Sequence, residues 1–272
     1  MTATAATTTR SPHAAPEPIG TRAHLTFGRV VRSEAIKLFS LRSTWWSIGV
    51  AAALSVGISL LMAAASADFG PGFPPVMAIV APMQFTMLVA GILGAIAVTG
   101  EYSTGMIRSS LTAVPQRGAV LAAKAIVMGV FLAVSSAVIF AVAVVATSGL
   151  LTPQIDWSDP AASTVPIAYG VLSMTAFALV GVGFGFILRN GAGAIAATVG
   201  LLFVAPIVVS LFSVFGTAWA WVTDLGQYLP MNASQTLTSV GAEDTVPALI
   251  ALLAWVAAGL LGAWAVLRTR DA

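Results

Sequence analysis

Side chains able to run a reaction are scarce in this 272-residue sequence, and those present are poorly placed for it. There is no cysteine, which excludes disulfides, thiolate metal sites and thiol nucleophiles. Both histidines, His13 and His24, precede the first long apolar run, so no histidine relay or metal site forms inside a membrane. A P-loop needs a lysine followed by Ser or Thr behind a glycine-rich turn, to hold phosphates and magnesium. The only lysines, Lys37 and Lys124, are followed by Leu38 and Ala125, so ATP chemistry of that type belongs to another chain. Gly181, Gly183 and Gly185 make no dinucleotide fingerprint, because no strand precedes them and no acid follows at the required distance. Serines are numerous, but none has a base beside it in sequence, and no paired carboxylates lie in the apolar runs. The chain reads as a non-enzyme.

The elements that carry these residues are set by hydropathy. Hydrophobic residues make up 58% of the sequence and charged residues 8%, against roughly a quarter charged in soluble domains. Apolar runs long enough to cross hydrocarbon recur along the whole length. Six spans are expected, at 45–67, 76–99, 125–151, 165–188, 193–215 and 246–267. All are helices, because an open strand in lipid leaves backbone groups unpaired. The third run begins near Gly118 and exceeds a bilayer's need, so it tilts or projects. Residues 1–26, rich in Ala, Thr, Ser and Pro, contain no apolar signal-peptide core and read as a disordered cytoplasmic tail. With these spans all basic residues fall on one side: Arg10, Arg22, Arg29, Arg32, Lys37, Arg42, Arg108, Arg117, Lys124, Arg189, Arg268 and Arg270. The positive-inside rule makes that side, and both termini, cytoplasmic. The opposite loops hold Asp68, Asp156, Asp159, Asp224, Glu243 and Asp244. An inner membrane is the expected location.

Within the spans the middle portions carry no Asp, Glu, Lys, Arg or His, which tells against a proton- or ion-driven carrier. The polar residues there are neutral, such as Gln84, Thr86, Ser135, Ser136 and Thr198, and suit bonds between helices. Gly91, Gly94, Gly181, Gly183 and Gly185 suit close helix packing. Pro82 and Pro206 fall inside spans and are expected to kink them. Trp45, Trp46, Trp157, Trp219, Trp221 and Tyr228 sit at or beside span ends, where amphipathic rings anchor in the headgroup layer.

Two basic-side segments carry more specific information. From Phe27 to Arg42, Phe27, Val30, Val31, Ala35, Leu38 and Leu41 recur at helical spacing. Arg29, Arg32, Ser33, Lys37 and Ser40 fall on another face. This is an amphipathic helix able to lie on anionic lipid or dock a soluble partner. Between spans two and three, Gly100 to Lys124 opens with Gly-Glu-Tyr-Ser-Thr-Gly-Met-Ile-Arg. Ser103 or Thr104 can cap a short helix running through Leu111 and ended by Pro115. Such a helix projecting from a bundle is a handle for another protein.

The stretch Thr99 to Lys124, TGEYSTGMIRSSLTAVPQRGAVLAAK, resembles the loop after the second span in permease subunits of bacterial type-2 ABC transporters. Glu34 to Trp46, EAIKLFSLRSTWW, is similar to the family's amphipathic connecting helix, and Tyr228 to Leu237, YLPMNASQTL, to its external segment before the last span. The resemblance implies an all-α membrane protein in which 27–272 form the transmembrane domain. An N-terminal amphipathic interface helix lies at 27–42, and a short cytoplasmic coupling helix between spans two and three. It also implies a second permease subunit, in a homodimer, and a separate ATP-binding protein that holds ATP and magnesium. This chain binds no cofactor of its own, and lipid rather than nucleic acid surrounds it. The contact roles carried over fall on Arg32, Glu34, Lys37, Glu101, Tyr102, Thr104, Met106 and Arg108. A cavity lined by Met, Phe and neutral polar groups suits an amphipathic or hydrophobic drug, peptide or lipid, and the resemblance favours export. Two other readings stay open: an ATP-independent channel or carrier, and a membrane anchor or sensor subunit. The external triplet Asn232-Ala233-Ser234 matches a glycosylation acceptor by sequence alone.

Overall fold

The computed structural model describes residues 26–70, 72–114 and 116–269. The expected tail, with Arg10, Arg22, His13 and His24, falls outside the described residues apart from Thr26, as do Pro115 and Arg270. Six helical stretches are long and apolar enough to cross a membrane, which marks a multi-pass membrane protein. No strand is present among the described residues.

Helix α1 (Phe27–Ser40) ends where Leu41 turns extended, and α2 (Arg42–Ala64) begins at once. The joint is fastened by the Trp45 indole, which donates 3.0 Å to the Phe39 carbonyl that α1 leaves free at its end. The second span is α3 (Met77–Val80) followed by α4 (Met83–Ser103). Pro82, having no N–H, interrupts the ladder between them, but Ala81 and Pro82 keep right-handed helical backbone, so the span continues. It runs past Thr99, where the sequence placed its end, and takes Glu101 and Tyr102 into regular helix.

Short α5 (Met106–Ala113) and long α6 (Arg117–Thr147) follow. Neither Ser103 nor Thr104 caps α5. Both hydroxyls turn back to the Gly100 carbonyl, at 3.0 and 2.9 Å, and close α4 instead. Gly105 takes the capping position at φ 71°, a left-handed conformation that costs a glycine little, and α5 runs two residues beyond Leu111. The 31 residues of α6 make about 46 Å of helix, well over a bilayer core.

Helix α7 (Thr164–Leu188) returns to the basic end. The fifth span is α8 (Gly191–Val199), a π turn at Gly200–Val204 and α9 (Ala205–Leu211). The widened turn lies directly before Pro206, whose missing N–H loosens the ladder there. Beyond it come α10 (Ala220–Gly226), α11 (Pro230–Thr238) and the last span, α12 (Thr245–Thr269). Ser234 is buried within α11, and the Asn232 amide donates 2.8 Å to the Gly226 carbonyl.

The second span and α7 are the centre of the bundle. In each, 61% of the apolar stretch is buried within the chain, against 22% for α2, 17% for the fifth span and 11% for α12. Glycines explain how closely α4 and α7 meet. A Cβ on Gly94 would strike the Ala178 carbonyl, and one on Gly181 would strike that of Gly91. On the other side of α7, a Cβ on Gly183 would come within 2.7 Å of Gly259 on α12. Without a hydrophobic force between helices in lipid, such close backbone approach is what packs them.

Candidate functional site

Since α2 leaves the basic end and the following spans alternate, every described basic residue lies at one end of the bundle and Asp68, Asp156, Asp159, Asp224, Glu243 and Asp244 at the other. At the basic end α1 lies against α6, and α5 connects α4 to α6. Four ionisable side chains from these helices meet in the space between them.

Lys124, two turns into α6, is the hub. Its ammonium lies 2.6 Å from Glu101 Oε1 on the last turn of α4 and 2.6 Å from Glu34 Oε2 on α1. The Ala97 carbonyl accepts from it at 3.4 Å. The approach to Glu34 Oε2 is an ion pair off hydrogen-bonding alignment, so that oxygen makes no formed hydrogen bond. Lys37, one turn beyond Glu34, donates 2.7 Å to Glu34 Oε1, 3.3 Å to Glu101 Oε1 and 3.0 Å to Ser110 Oγ on α5. Two carboxylates and two ammoniums thus share one neutral cluster joining α1, α4, α5 and α6. The side chains of Glu34, Glu101 and Lys124 are 4–6% exposed and that of Lys37 23%. Burial on this scale makes the pairing costly to break, since removing one partner leaves a buried charge uncompensated.

The electrostatics follow from this geometry. Burial by itself pushes the Glu34 carboxyl up, but Lys124 and Lys37 outweigh it and hold the group below the ordinary glutamate value. Burial likewise pulls the Lys37 ammonium down, and Glu34 and Glu101 outweigh it, leaving it above the ordinary lysine value. A lowered carboxyl contributes stability that is complete above about pH 4.3 and is lost as pH falls through its folded value. A raised ammonium contributes stability that is complete below about pH 10.4 and is lost as pH rises through its folded value. The melting-temperature advantage of wild type over Glu34→Gln is therefore expected to be level between about pH 5 and 9 and to shrink below about 4. Thermal unfolding of the purified protein across that range measures it. An advantage that persists undiminished at pH 3 would exclude an ionised Glu34 as its source.

The residues singled out from sequence separate into three groups. Glu34, Lys37 and Glu101 come together inside, although the helical wheel put Lys37 on the outward polar face with Arg29 and Arg32. That face has a second, inward arc, because Glu34 and Lys37 share a side with buried Val30 and Leu38. Arg32, Thr104, Met106 and Arg108 are exposed at the same end. Tyr102 is half-buried, edge-on to Phe186, with the Arg189 guanidinium 5.5 Å from its ring centre. The four charged side chains also form part of the wall of a cavity of about 360 Å³, with Leu41, Thr104 and Met106 among its other lining residues.

Lys124 and Ser110 were missed by sequence reasoning. The available signal was that Lys124 is one of two lysines in the chain and stands at the border of an apolar run. Arg117 and Arg189 were also read only as charges marking one side. Arg117 donates 2.7 Å to the Leu267 carbonyl and Arg189 3.2 Å to that of Val266, so both hold the carbonyl end of α12, where the helix dipole favours cations.

No family model matches this sequence, and no curated protein matches it.

Proposed function

We propose that this chain is the transmembrane permease subunit of an ATP-driven transporter of the type-2 ABC class, an exporter of amphipathic or hydrophobic molecules. It works with a separate P-loop ATP-binding protein and a second permease subunit, in a bacterial cell membrane with both termini in the cytoplasm. The supporting observation is the ion cluster that ties α1 and α5 to the ends of α4 and α6. A load applied to exposed Arg32, Met106 or Arg108 passes through buried charge pairs, not a flexible loop, into α4, the centre of the bundle. The glycine-lined crossing of α4 with α7 carries it onward. Alternating access follows if the cargo binds the two resulting arrangements with different affinity.

The reading makes a binding prediction. Tagged protein taken from native membranes is expected to bring down a P-loop ATPase, and Met106→Glu with Arg108→Glu to lower its recovery at least tenfold while the bundle still folds. Arg108 and Met106 are exposed, so their loss leaves the buried packing intact. A protein that purifies alone and carries solute flux in ATP-free vesicles would sink the permease reading.

A further inference from the structure

An apolar groove of about 640 Å³ runs along the outer side of α6, roofed at its basic end by α1 and flanked by α2. One wall is a β-branched stripe at four-residue spacing, Ile126, Val130, Val134, Val138 and Val142, each about half exposed. Ser135 is its only polar lining residue. At the basic end the groove is lined by an aromatic cluster, with Phe131 packed edge-on against Phe39 and Trp45 at 5.6 and 6.3 Å.

We infer that this groove binds the acyl chain of an anionic phospholipid whose headgroup is held by Arg32 and Arg42. The stripe from Ile126 to Val142 covers about 24 Å. The same length exceeds the half-thickness of the hydrocarbon core, about 15 Å, so one leaflet's chain is accommodated in full. Charge selects the headgroup. Arg32 lies on one stripe of α1 with Ala35 and Phe39, which line the groove, and Arg42 occupies the α1–α2 joint three residues before Trp45. Both arginines are exposed and have no acidic partner among the described residues. A second copy of the chain would bring the same two cations to a symmetric contact, where like charges repel. The site is independent of whether the chain transports anything.

The test is native mass spectrometry of the full-length protein released from nanodiscs of equal phosphatidylglycerol and phosphatidylcholine. One retained phosphatidylglycerol per chain is expected, with at least tenfold preference over phosphatidylcholine. Arg32→Gln with Arg42→Gln is expected to abolish the preference, and Val134→Trp, which fills the groove without touching either arginine, to abolish retention. Size-exclusion profiles identical to wild type establish that the variants are folded, and Val134→Phe substitutes if the tryptophan is not tolerated. Equal retention of the two lipids, or retention unchanged by a filled groove, would overturn the assignment. So would efficient dimer crosslinking through Val138→Cys, a clean probe because the chain has no other cysteine, since it would place a second copy in the groove.

Discussion

Lys124→Met is expected to destabilise the purified protein by about 3–5 kcal/mol, the usual result of removing one partner from a buried ion pair. The substitution keeps the length and bulk of the stem, so the loss is electrostatic. Glu101 and Glu34, whose side chains are about 5% exposed, each lose a contact of 2.6 Å, and Lys37 alone remains to face two carboxylates. At 2–4 °C per kcal/mol for a chain of this size, the melting temperature should fall by roughly 10 °C. The second half of the prediction separates a charge effect from a packing effect. Adding Glu101→Gln to Lys124→Met removes one charge of each sign and restores the neutrality of the cluster. It should recover about half of the loss or more, because replacing a buried pair is far cheaper than breaking it. A melting point unchanged in the single variant, or a double variant worse than the sum of the two singles, would show that the cluster is not held by charge pairing.

Gly181→Val is expected to eliminate folded protein altogether. A Cβ at this position meets the Gly91 carbonyl on α4, and backbone has no rotamer with which to move aside. Relief requires separating the two most buried spans of the bundle, so the cost lies above the ordinary 1–3 kcal/mol of overpacking. Gly57→Ala on α2 is the matched control. Nothing stands within 4 Å of a Cβ there, and helix propensity alone predicts a gain of up to about 1 kcal/mol. Yield of monodisperse protein after detergent extraction reads both. Normal yield for Gly181→Val would mean that α4 and α7 do not cross where described.

These two predictions rest on features of different legibility. That Gly91, Gly94, Gly181 and Gly185 serve helix packing follows from their type and from the lack of any nucleotide-binding context. Which helices they join does not, because small residues are permissive toward any neighbour and carry no address. The same limit applies to Lys37. Periodicity sorts side chains by angle around an axis, and an ammonium at a given angle looks solvent-facing until a carboxylate from elsewhere is found opposite it. Glu34, Glu101 and Lys124 belong to three helices, Glu34 parted from Glu101 by two apolar spans and Glu101 from Lys124 by α5, and no local pattern relates them. The capping error at Ser103 and Thr104 has a similar origin. Hydroxyls can bond backward to a carbonyl as well as forward to an N–H, and the continuation of α4 decided between the two.

The sequence by itself determined the number of spans, their approximate limits and the gathering of basic residues at one end. Each of these depends on transfer of short segments between water and hydrocarbon, which is additive along the chain. It also determined that this polypeptide has no P-loop, from residue order alone. Tertiary structure alone decided that α4 and α7 form the centre, that Lys124 joins Glu34 to Glu101, that two arginines hold the end of α12, and that a groove remains open along α6. Those outcomes depend on which surfaces meet. Helices in lipid associate by shape and by pairing of polar groups, and both are properties of two surfaces together that neither sequence segment holds alone.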